Sequence, residues 1–152
     1  MINYIQGDAT IPVKQPAIIA HICNDIGAWG AGFVVPLGNK YPVAKIAYKE
    51  MKERTLGLTL FVPVAKDIVD ANMIAQHSTS KIYDMPPIRY SAVESCLSDV
   101  GLMATKINAS IHMPRIGCGL AGGKWSKIEP IIKNVLKNNI VYVYDLPTKE
   151  KV

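Results

Sequence analysis

The chain has 152 residues, of which 49% are hydrophobic and 19% are charged, and its formal net charge is +5. This composition excludes a globally disordered chain, and the length fits one domain, residues 1–152, with a sizeable core. No apolar run approaches the roughly 20 residues of a membrane span, and the N-terminus lacks a signal-peptide pattern. The sequence therefore predicts a cytoplasmic protein without membrane contact.

The charged and metal-binding residue types are dispersed along the sequence. Scattered lysines, without interleaved aromatic residues, favour a solvated mixed surface over a nucleic-acid-binding face, which stays the alternative. The cysteines form no CxxC pair, which fits a reducing compartment, and the histidines lack zinc-ligand spacing. No metal and no cofactor are expected. The residues concerned are Cys23, Cys96, Cys118, His21, His77 and His112.

The first half of the chain predicts four strands and one helix. Short apolar runs indicate strands over Ile2–Gln6 and Ala17–Cys23, the second apolar enough to be buried on both faces. Helical spacing follows between Tyr41 and Thr55, at Val43, Ile46, Ala47 and Met51. Two further strands, Leu58–Val64 and Asp67–Gln76, are joined by a tight turn.

The second half alternates helices and strands. A capping box, Ser91-x-x-Glu94, begins a helix whose apolar stripe is Val93, Cys96, Leu97 and Val100. A short buried strand follows at Ser110–Pro114. A second capping box, Ser126-x-x-Glu129, begins a helix with the stripe Ile128, Ile131, Ile132 and Val135, and Ile140–Asp145 is the last strand. Strands separated by helices predict an α/β layered domain, with ligands at the carboxyl ends of the strands.

A glycine-rich loop lies between the fifth strand and the last helix, in the stretch Met113–Trp125. It contains four glycines: Gly117, Gly119, Gly122 and Gly123. Because glycine costs roughly 0.5–1 kcal/mol in regular structure, this concentration favours a phosphate cradle of backbone N–H groups, where a turn alone needs one or two. A purely structural turn stays the alternative. Lys124 is not followed by Ser or Thr, which excludes a Walker loop.

Two other loops carry polar candidates. In the loop His21–Phe33, three glycines again indicate backbone close to a ligand, and His21 and Asn24 can hydrogen-bond sugar hydroxyls. A satisfied core histidine is an equal interpretation of His21, and packing is the commoner role of Trp29 and Phe33. Asp8, directly after the first strand, is interpreted first as a turn residue. The alternative is that it accepts a hydrogen bond from the exocyclic amine of a base.

Taken together, these segments resemble the macrodomain family. The matching stretches are Gly7-Asp8, His21-Ile22-Cys23-Asn24 with Gly30-Ala31-Gly32, and Met113-Pro114-Arg115-Ile116-Gly117-Cys118-Gly119-Leu120. The branch most similar contains ADP-ribose-1''-phosphate phosphatases and terminal ADP-ribose glutamate hydrolases. The resemblance implies a three-layer α/β/α sandwich around a mixed, mostly parallel sheet of about six strands, with ADP-ribose in a cleft.

The resemblance also implies roles for individual residues. Asp8 receives the adenine amine beside the Ala9 backbone, and Tyr144 or Asp145 flanks the adenine. Asn24 contacts the distal ribose, the one not attached to adenine. The residues implied around that ribose and the diphosphate are Gly30, Ala31, Gly32, Phe33, Arg115, Ile116, Gly117, Cys118, Gly119, Leu120 and Ala121.

The sequence departs from the glutamate hydrolases at two positions. The family's lysine and aspartate correspond here to Gln76 and Ala121, so that mechanism is in doubt, whereas the phosphatase-like members share the His21–Asn24 setting. The leading hypothesis is a hydrolase that removes a phosphate or an ester-linked protein from the distal ribose. In it His21, with an ordinary pKa of about 6.5, activates water and Asn24 holds the ribose. The alternatives are a non-catalytic reader of ADP-ribose, free or on ADP-ribosylated protein, and a basic nucleic-acid-binding protein.

Overall fold

Six strands form one sheet in the computed structural model, which describes residues 1–147. Their bounds are β1 Ile2–Gln6, β2 Ala17–Asn24, β3 Thr59–Ala65, β4 Ile68–Gln76, β5 Ser110–Met113 and β6 Val141–Asp145. The strand order is β1-β6-β5-β2-β4-β3. Neighbouring strands are parallel except for β3 and β4, which are antiparallel. The predicted mixed, mostly parallel sheet of six strands is confirmed.

Helices cover both faces of the sheet. The described helices are α1 Val34–Lys40, α2 Pro42–Glu50, α3 Tyr90–Ile107 and α4 Trp125–Val135. One core lies between the sheet and the pair α3 and α4, and a second lies between the sheet and the pair α1 and α2. The three-layer sandwich is therefore confirmed. None of the helices within residues 1–147 is long and apolar enough to cross a membrane.

Alternation of buried positions explains the two cores. Successive side chains of a strand point to opposite faces, so β2 sends Ile18 and Ala20 to one core and Ile19 and Cys23 to the other. The predicted tight turn between β3 and β4 is also confirmed. Asp67 adopts φ 60° there, a left-handed conformation that aspartate tolerates better than most residues.

The capping box predicted at Ser91 is wrong. α3 begins at Tyr90, so Ser91 lies inside its first turn, and no side chain caps the helix. The extended Arg89 precedes the helix, and its N–H donates to the Ala75 carbonyl at the end of β4. This tertiary hydrogen bond fixes where the helix starts.

The capping box predicted at Ser126 is wrong for a similar reason. α4 begins at Trp125 after an extended Lys124, without a side-chain cap. The Lys124 N–H donates instead to the Tyr90 hydroxyl, 3.1 Å away. Glu129 accepts from the Trp125 indole and pairs with Lys133, 3.2 Å away, rather than closing back on the helix start.

The helix predicted between Tyr41 and Thr55 is confirmed as α2, but its buried face differs from the spacing that indicated it. Val43 and Ile46 are 42% and 52% exposed, whereas Ala44 and Tyr48 are fully buried. The small Ala44 allows the helix to approach the sheet closely enough for Asn72 of β4 to donate to its carbonyl, 3.2 Å away. The sequence interpretation missed α1 altogether, because Pro36 and Gly38 interrupt its pattern.

A buried polar chain holds the β1–β2 loop against β5 and β6. The Tyr144 hydroxyl accepts from the Val13 N–H at 2.9 Å and lies 2.7 Å from His112 Nδ1. His112 Nε2 lies 2.7 Å from Ser110 Oγ, and the ring stacks on Tyr142. Burial lowers the pKa of His112 to about 4, so the ring is neutral near pH 7.

The His112 network makes stability depend on pH in acid. The pKa of His112 in the folded protein lies below the ordinary histidine value of about 6.5. Between these two pKa values the unfolded chain therefore binds a proton at His112 that the native chain does not bind. The free energy of unfolding is therefore expected to fall as the pH drops from about 6.5 to about 4. Urea denaturation of the wild type and of His112→Gln across this range measures the effect. Equal pH dependence in the two proteins contradicts it.

Candidate functional site

A cleft of about 490 Å³ lies at the carboxyl ends of β2, β4 and β5. The chain leaves β2 toward α1 and α2 on one face of the sheet, and leaves β5 toward α4 on the other. Neighbouring strands whose connections diverge in this way open a crevice between them, the usual ligand site of such sheets. The lining residues come from four segments: 21–24, 28–34, 76–79 and 114–121.

The glycine-rich loop after β5 is shaped by steric limits. Gly117 has φ 73°, and an added Cβ would collide with Cδ1 of Ile88. At Gly123, an added Cβ would lie 2.5 Å from the Gly117 carbonyl oxygen, to which the Gly123 N–H donates at 2.7 Å. Gly122 also has φ 73° and packs against Pro86. Side chains are excluded at these three positions by the turn itself.

Gly119 differs from the other three glycines. It lines the cleft, and an added Cβ would have no heavy atom within 4 Å. The expectation that a turn explains at most two of the four glycines is therefore wrong, because the loop closure requires three. Among the four glycines of this loop, Gly119 alone leaves open space beside the cleft.

Backbone N–H groups on both sides of the cleft lack acceptors. Within residues 1–147, this holds for the N–H groups of Gly30, Ala31, Gly32, Phe33, Gly117, Gly119, Leu120 and Ala121, all of which line the cleft. Cys118 is an exception among the predicted residues, because its N–H donates to the Arg115 carbonyl at 3.3 Å and it does not line the cleft. Gly32, with φ 81°, faces Leu120 at the point where the two loops meet. Unpaired N–H groups of this kind bind anions.

Asn24 organises the loop that follows β2. Its Oδ1 accepts from the N–H groups of Ile26 and Ala28, at 3.1 and 3.0 Å, and from the Tyr48 hydroxyl at 2.8 Å. Its Nδ2 donates to the Ala28 carbonyl at 2.8 Å. The oxygen is saturated, so one Nδ2 proton is all that Asn24 can offer a ligand, and it can act there only as a donor.

His21 is buried beneath the cleft rather than free in it. The residue is 1% exposed, and its ring packs against Trp29 and Phe33. Its Nε2 lies 2.8 Å from Oδ1 of Asp70 on β4. The other carboxylate oxygen of Asp70 is buried without a hydrogen-bond partner in the described residues.

The His21–Asp70 pair retains a proton well above neutral pH. Burial lowers the pKa of His21, but the Asp70 carboxylate outweighs this effect and raises it to about 10. Burial also raises the pKa of Asp70, against the opposing effect of His21. Both shifts have one cause: losing the shared proton would leave a net charge in the core. The prediction that His21 keeps an ordinary pKa is wrong.

Arg115 lines the cleft, but its guanidinium is paired with the carboxylate of Asp145. Nε and Nη2 contact the two carboxylate oxygens of Asp145 at 2.7 and 2.9 Å. The guanidinium also lies over the rings of Tyr4 and Trp125, about 5.1 Å from each centroid. Arg115 therefore ties the glycine-rich loop to the end of β6.

The residues predicted to surround adenine lie outside this cleft. Asp8 Oδ1 accepts from the N–H and the hydroxyl of Thr10, both at 2.8 Å, as in a turn. Ala9 and Tyr144 are 3% and 4% exposed, and none of the three residues lines the cleft. Their contact with adenine stays a prediction. Ile116, the remaining predicted residue, lines the cleft.

The sequence interpretation missed three residues that shape the site. Gln76 lines the cleft, although the sequence flagged it only as the replacement of a lysine. Asp70 pairs with His21, and its signal was that it is the one carboxylate in the strand Ile68–Gln76. Tyr48 reaches Asn24 from α2, and nothing in the local sequence indicates this contact. Among the described residues, no group of three or more His, Cys, Asp or Glu side chains is arranged to hold a metal ion.

Solved structures similar to this chain cover nearly its whole length. A protein of unknown function from Bacteroides thetaiotaomicron is 49% identical with a TM-score of 0.92, over 96% of this chain and 98% of that one. A macrodomain protein from Streptomyces coelicolor is 42% identical with a TM-score of 0.82, over 95% and 99%. No family model matches the chain.

The curated relatives differ in how much of their length is matched. Chromodomain-helicase-DNA-binding protein 1-like from Mus musculus is 31% identical over 96% of this chain, which spans only 18% of that protein. The chain spans 15% of the same protein from Danio rerio. An ADP-ribose 1''-phosphate phosphatase from Lodderomyces elongisporus is 25% identical over 95% of this chain and 99% of that one.

Proposed function

The chain belongs to the macrodomain family, and we propose from this premise that it binds ADP-ribose in the cleft and hydrolyses a substituent on the distal ribose. The name of the Lodderomyces elongisporus relative, ADP-ribose 1''-phosphate phosphatase, supports both the ligand and the reaction. The substituent is a 1''-phosphate or an ester-linked protein. The observation that carries the proposal is the set of unpaired N–H groups that belong to residues lining both sides of the cleft.

These N–H groups fit a diphosphate. Four come from the loop after β2 and four from the loop after β5, so the anion lies between two sets of donors. Oriented amides supply positive potential without a cation, and Arg115, the guanidinium in the cleft wall, is already neutralised by Asp145. The diphosphate is bound by the backbone, and in the loop after β5 the missing side chain of Gly119 leaves space beside these donors.

The geometry changes the role of His21 in the hydrolysis. A buried histidine that holds its proton with Asp70 is a structural residue, so we assign no general base to it. Water attacks the phosphorus or the ester carbon, the bond to the ribose oxygen breaks, and that oxygen takes a proton from the attacking water and leaves as the ribose hydroxyl. Loop N–H groups stabilise the developing negative charge. Asn24 contributes one donor to the ribose.

A reader without catalytic activity is the second candidate, favoured by a specific observation. The titratable side chains that line the cleft in residues 1–147 are His21, Cys23 and Arg115. His21 is paired with Asp70, and Arg115 is paired with Asp145. Burial raises the pKa of the Cys23 thiol. None is free to take a proton from water.

Two measurements on the wild type separate these functions. Calorimetry with ADP-ribose is expected to show binding, with AMP much weaker because it lacks the diphosphate. Incubation with ADP-ribose 1''-phosphate is expected to release inorganic phosphate. Binding of ADP-ribose without hydrolysis of either ADP-ribose 1''-phosphate or an ADP-ribosyl ester of a peptide identifies a reader. Failure to bind ADP-ribose, together with salt-sensitive binding of RNA, contradicts the proposal and favours the nucleic-acid alternative.

A further inference from the structure

Two residues with amide side chains end neighbouring strands at the cleft. Asn24 ends β2 and Gln76 ends β4, and the two residues are Cα partners across the parallel pair. Both line the cleft. Each has already used part of its hydrogen-bonding capacity within the protein, so what remains decides what the pair can bind.

The remaining capacity is one donor and one acceptor. Gln76 Nε2 donates to the Ser78 carbonyl at 2.9 Å, and because a carbonyl can only accept, this contact fixes which end of the amide is nitrogen. Gln76 Oε1 finds no donor in the described part of the chain. Asn24, whose Oδ1 is saturated, keeps one Nδ2 proton.

Tyr48 holds the donor in place. Its side chain is fully buried in the core under α2, and its hydroxyl lies 2.6 Å from the Asn24 carbonyl oxygen and 2.8 Å from Oδ1. The Arg54 guanidinium lies over the Tyr48 ring, 4.9 Å from the ring centroid. A rotation of the Asn24 amide would break this contact as well as those to Ile26 and Ala28.

We propose that Gln76 is a specificity-determining residue, whose free Oε1 acts with the free Nδ2 proton of Asn24 as an acceptor and donor for one hydroxyl group of the distal ribose. Tyr48 is the positioning residue of this pair. The inference rests on the proposed function, because it assigns the sugar end of the same ligand.

The chemistry of the pair selects a hydroxyl over an anion. A hydroxyl both donates and accepts, so it satisfies both amides at once. A phosphate oxygen only accepts, and it would be repelled by Gln76 Oε1. The amide pair therefore complements the N–H-rich loops: the loops bind the diphosphate and the pair binds the sugar.

Comparison of ADP-ribose with ADP tests this inference, because ADP lacks the distal ribose. In Gln76→Met, which keeps the side-chain length and removes the acceptor, the affinity for ADP-ribose is expected to fall about tenfold, as for the loss of one buried hydrogen bond. The affinity for ADP is expected to stay within about twofold, since the Gln76 contact is confined to the sugar. Titration calorimetry measures both.

Two tyrosine variants form a matched pair for the positioning role. Tyr48→Phe is expected to lower ADP-ribose affinity selectively, in the same sense as Gln76→Met. Tyr41→Phe removes another buried hydroxyl, which donates to the Thr10 carbonyl at 2.9 Å, and it is expected to leave the ratio of the two affinities unchanged. A structural effect alone would move both ligands in both variants.

The outcomes distinguish this inference from the proposed function. If the wild type prefers ADP-ribose to ADP and Gln76→Met retains that preference, the role of Gln76 is overturned while the function stands. A parallel loss of ADP and ADP-ribose in Gln76→Met also overturns it. If the wild type binds neither ligand, the proposed function fails, and the assignment of the amide pair fails with it.

Discussion

Asp70→Ala is expected to lower the free energy of unfolding by about 3–5 kcal/mol, the usual effect of removing one partner of a buried ion pair. Asp70 is fully buried and contacts His21 Nε2 at 2.8 Å. Without the carboxylate, His21 must either give up its proton or stay charged in the core. Urea denaturation at pH 7 measures the loss.

A double variant distinguishes the effect of removing the whole His21–Asp70 pair from the effect of leaving one partner buried alone. His21→Leu with Asp70→Val replaces both partners by apolar side chains, so no charge or polar atom of the pair is left buried. Its stability is expected to lie much closer to the wild type than that of Asp70→Ala. If the double variant is the less stable of the two, the pair contributes more than compensation of buried charge, and this interpretation fails.

The same pair predicts how stability changes in alkali. Between pH 6.5 and about 10 the native pair holds a proton that the unfolded histidine has lost, so the native state binds more protons. The contribution of this proton to the free energy of unfolding is therefore fully present below about pH 6.5. It falls as the pH rises, by up to about 1.4 kcal/mol per pH unit. The double variant is expected to lack this slope between pH 6.5 and 8.5.

Gly123→Ala is expected to destabilise the protein by roughly 3 kcal/mol, the upper range for overpacking, and to lower the Tm by about 6–12 °C. The added Cβ would lie 2.5 Å from the Gly117 carbonyl oxygen, a backbone atom that cannot move alone, and 2.8 Å from Ile88. The hydrogen bond from the Gly123 N–H that closes the loop is then lost. Differential scanning calorimetry gives the change.

Gly119→Ala is the matched control in the same loop. Its Cβ meets no heavy atom within 4 Å, so the unfolding free energy is expected to change by less than about 0.5 kcal/mol. The methyl group does project beside the unpaired N–H groups, and ADP-ribose affinity is expected to fall about tenfold, or about 1.4 kcal/mol. A stable variant with unchanged affinity would place the diphosphate away from this loop.

Local pattern was sufficient to predict the strands and the position of the cleft. The predicted bounds of β1 were confirmed at both ends, because its alternation ends at the polar Gln6. Ligand loops follow from parallel strands, whose carboxyl ends meet at one edge, so the loops after Asn24 and Met113 were identified without knowledge of the strand order.

Tertiary contacts explain what the sequence interpretation missed. A Ser-x-x-Glu pattern covers four residues, but the start of α3 is fixed by a hydrogen bond from Arg89 to Ala75 on the preceding strand, β4. The pKa of His21 depends on Asp70, 49 residues away along the chain. The contact of α2 with the Asn24 amide depends likewise on a residue distant in sequence, Tyr48. Such partners are set by the packing of helices on the sheet, which the spacing of residues does not encode.

The most direct test of the central claim is a crystal structure of the protein with ADP-ribose. We expect diphosphate oxygens within about 3 Å of backbone nitrogens from both loops, among them those of Gly32 and Gly119. A nucleotide whose diphosphate lies outside the cleft, or is held by side chains alone, would contradict it.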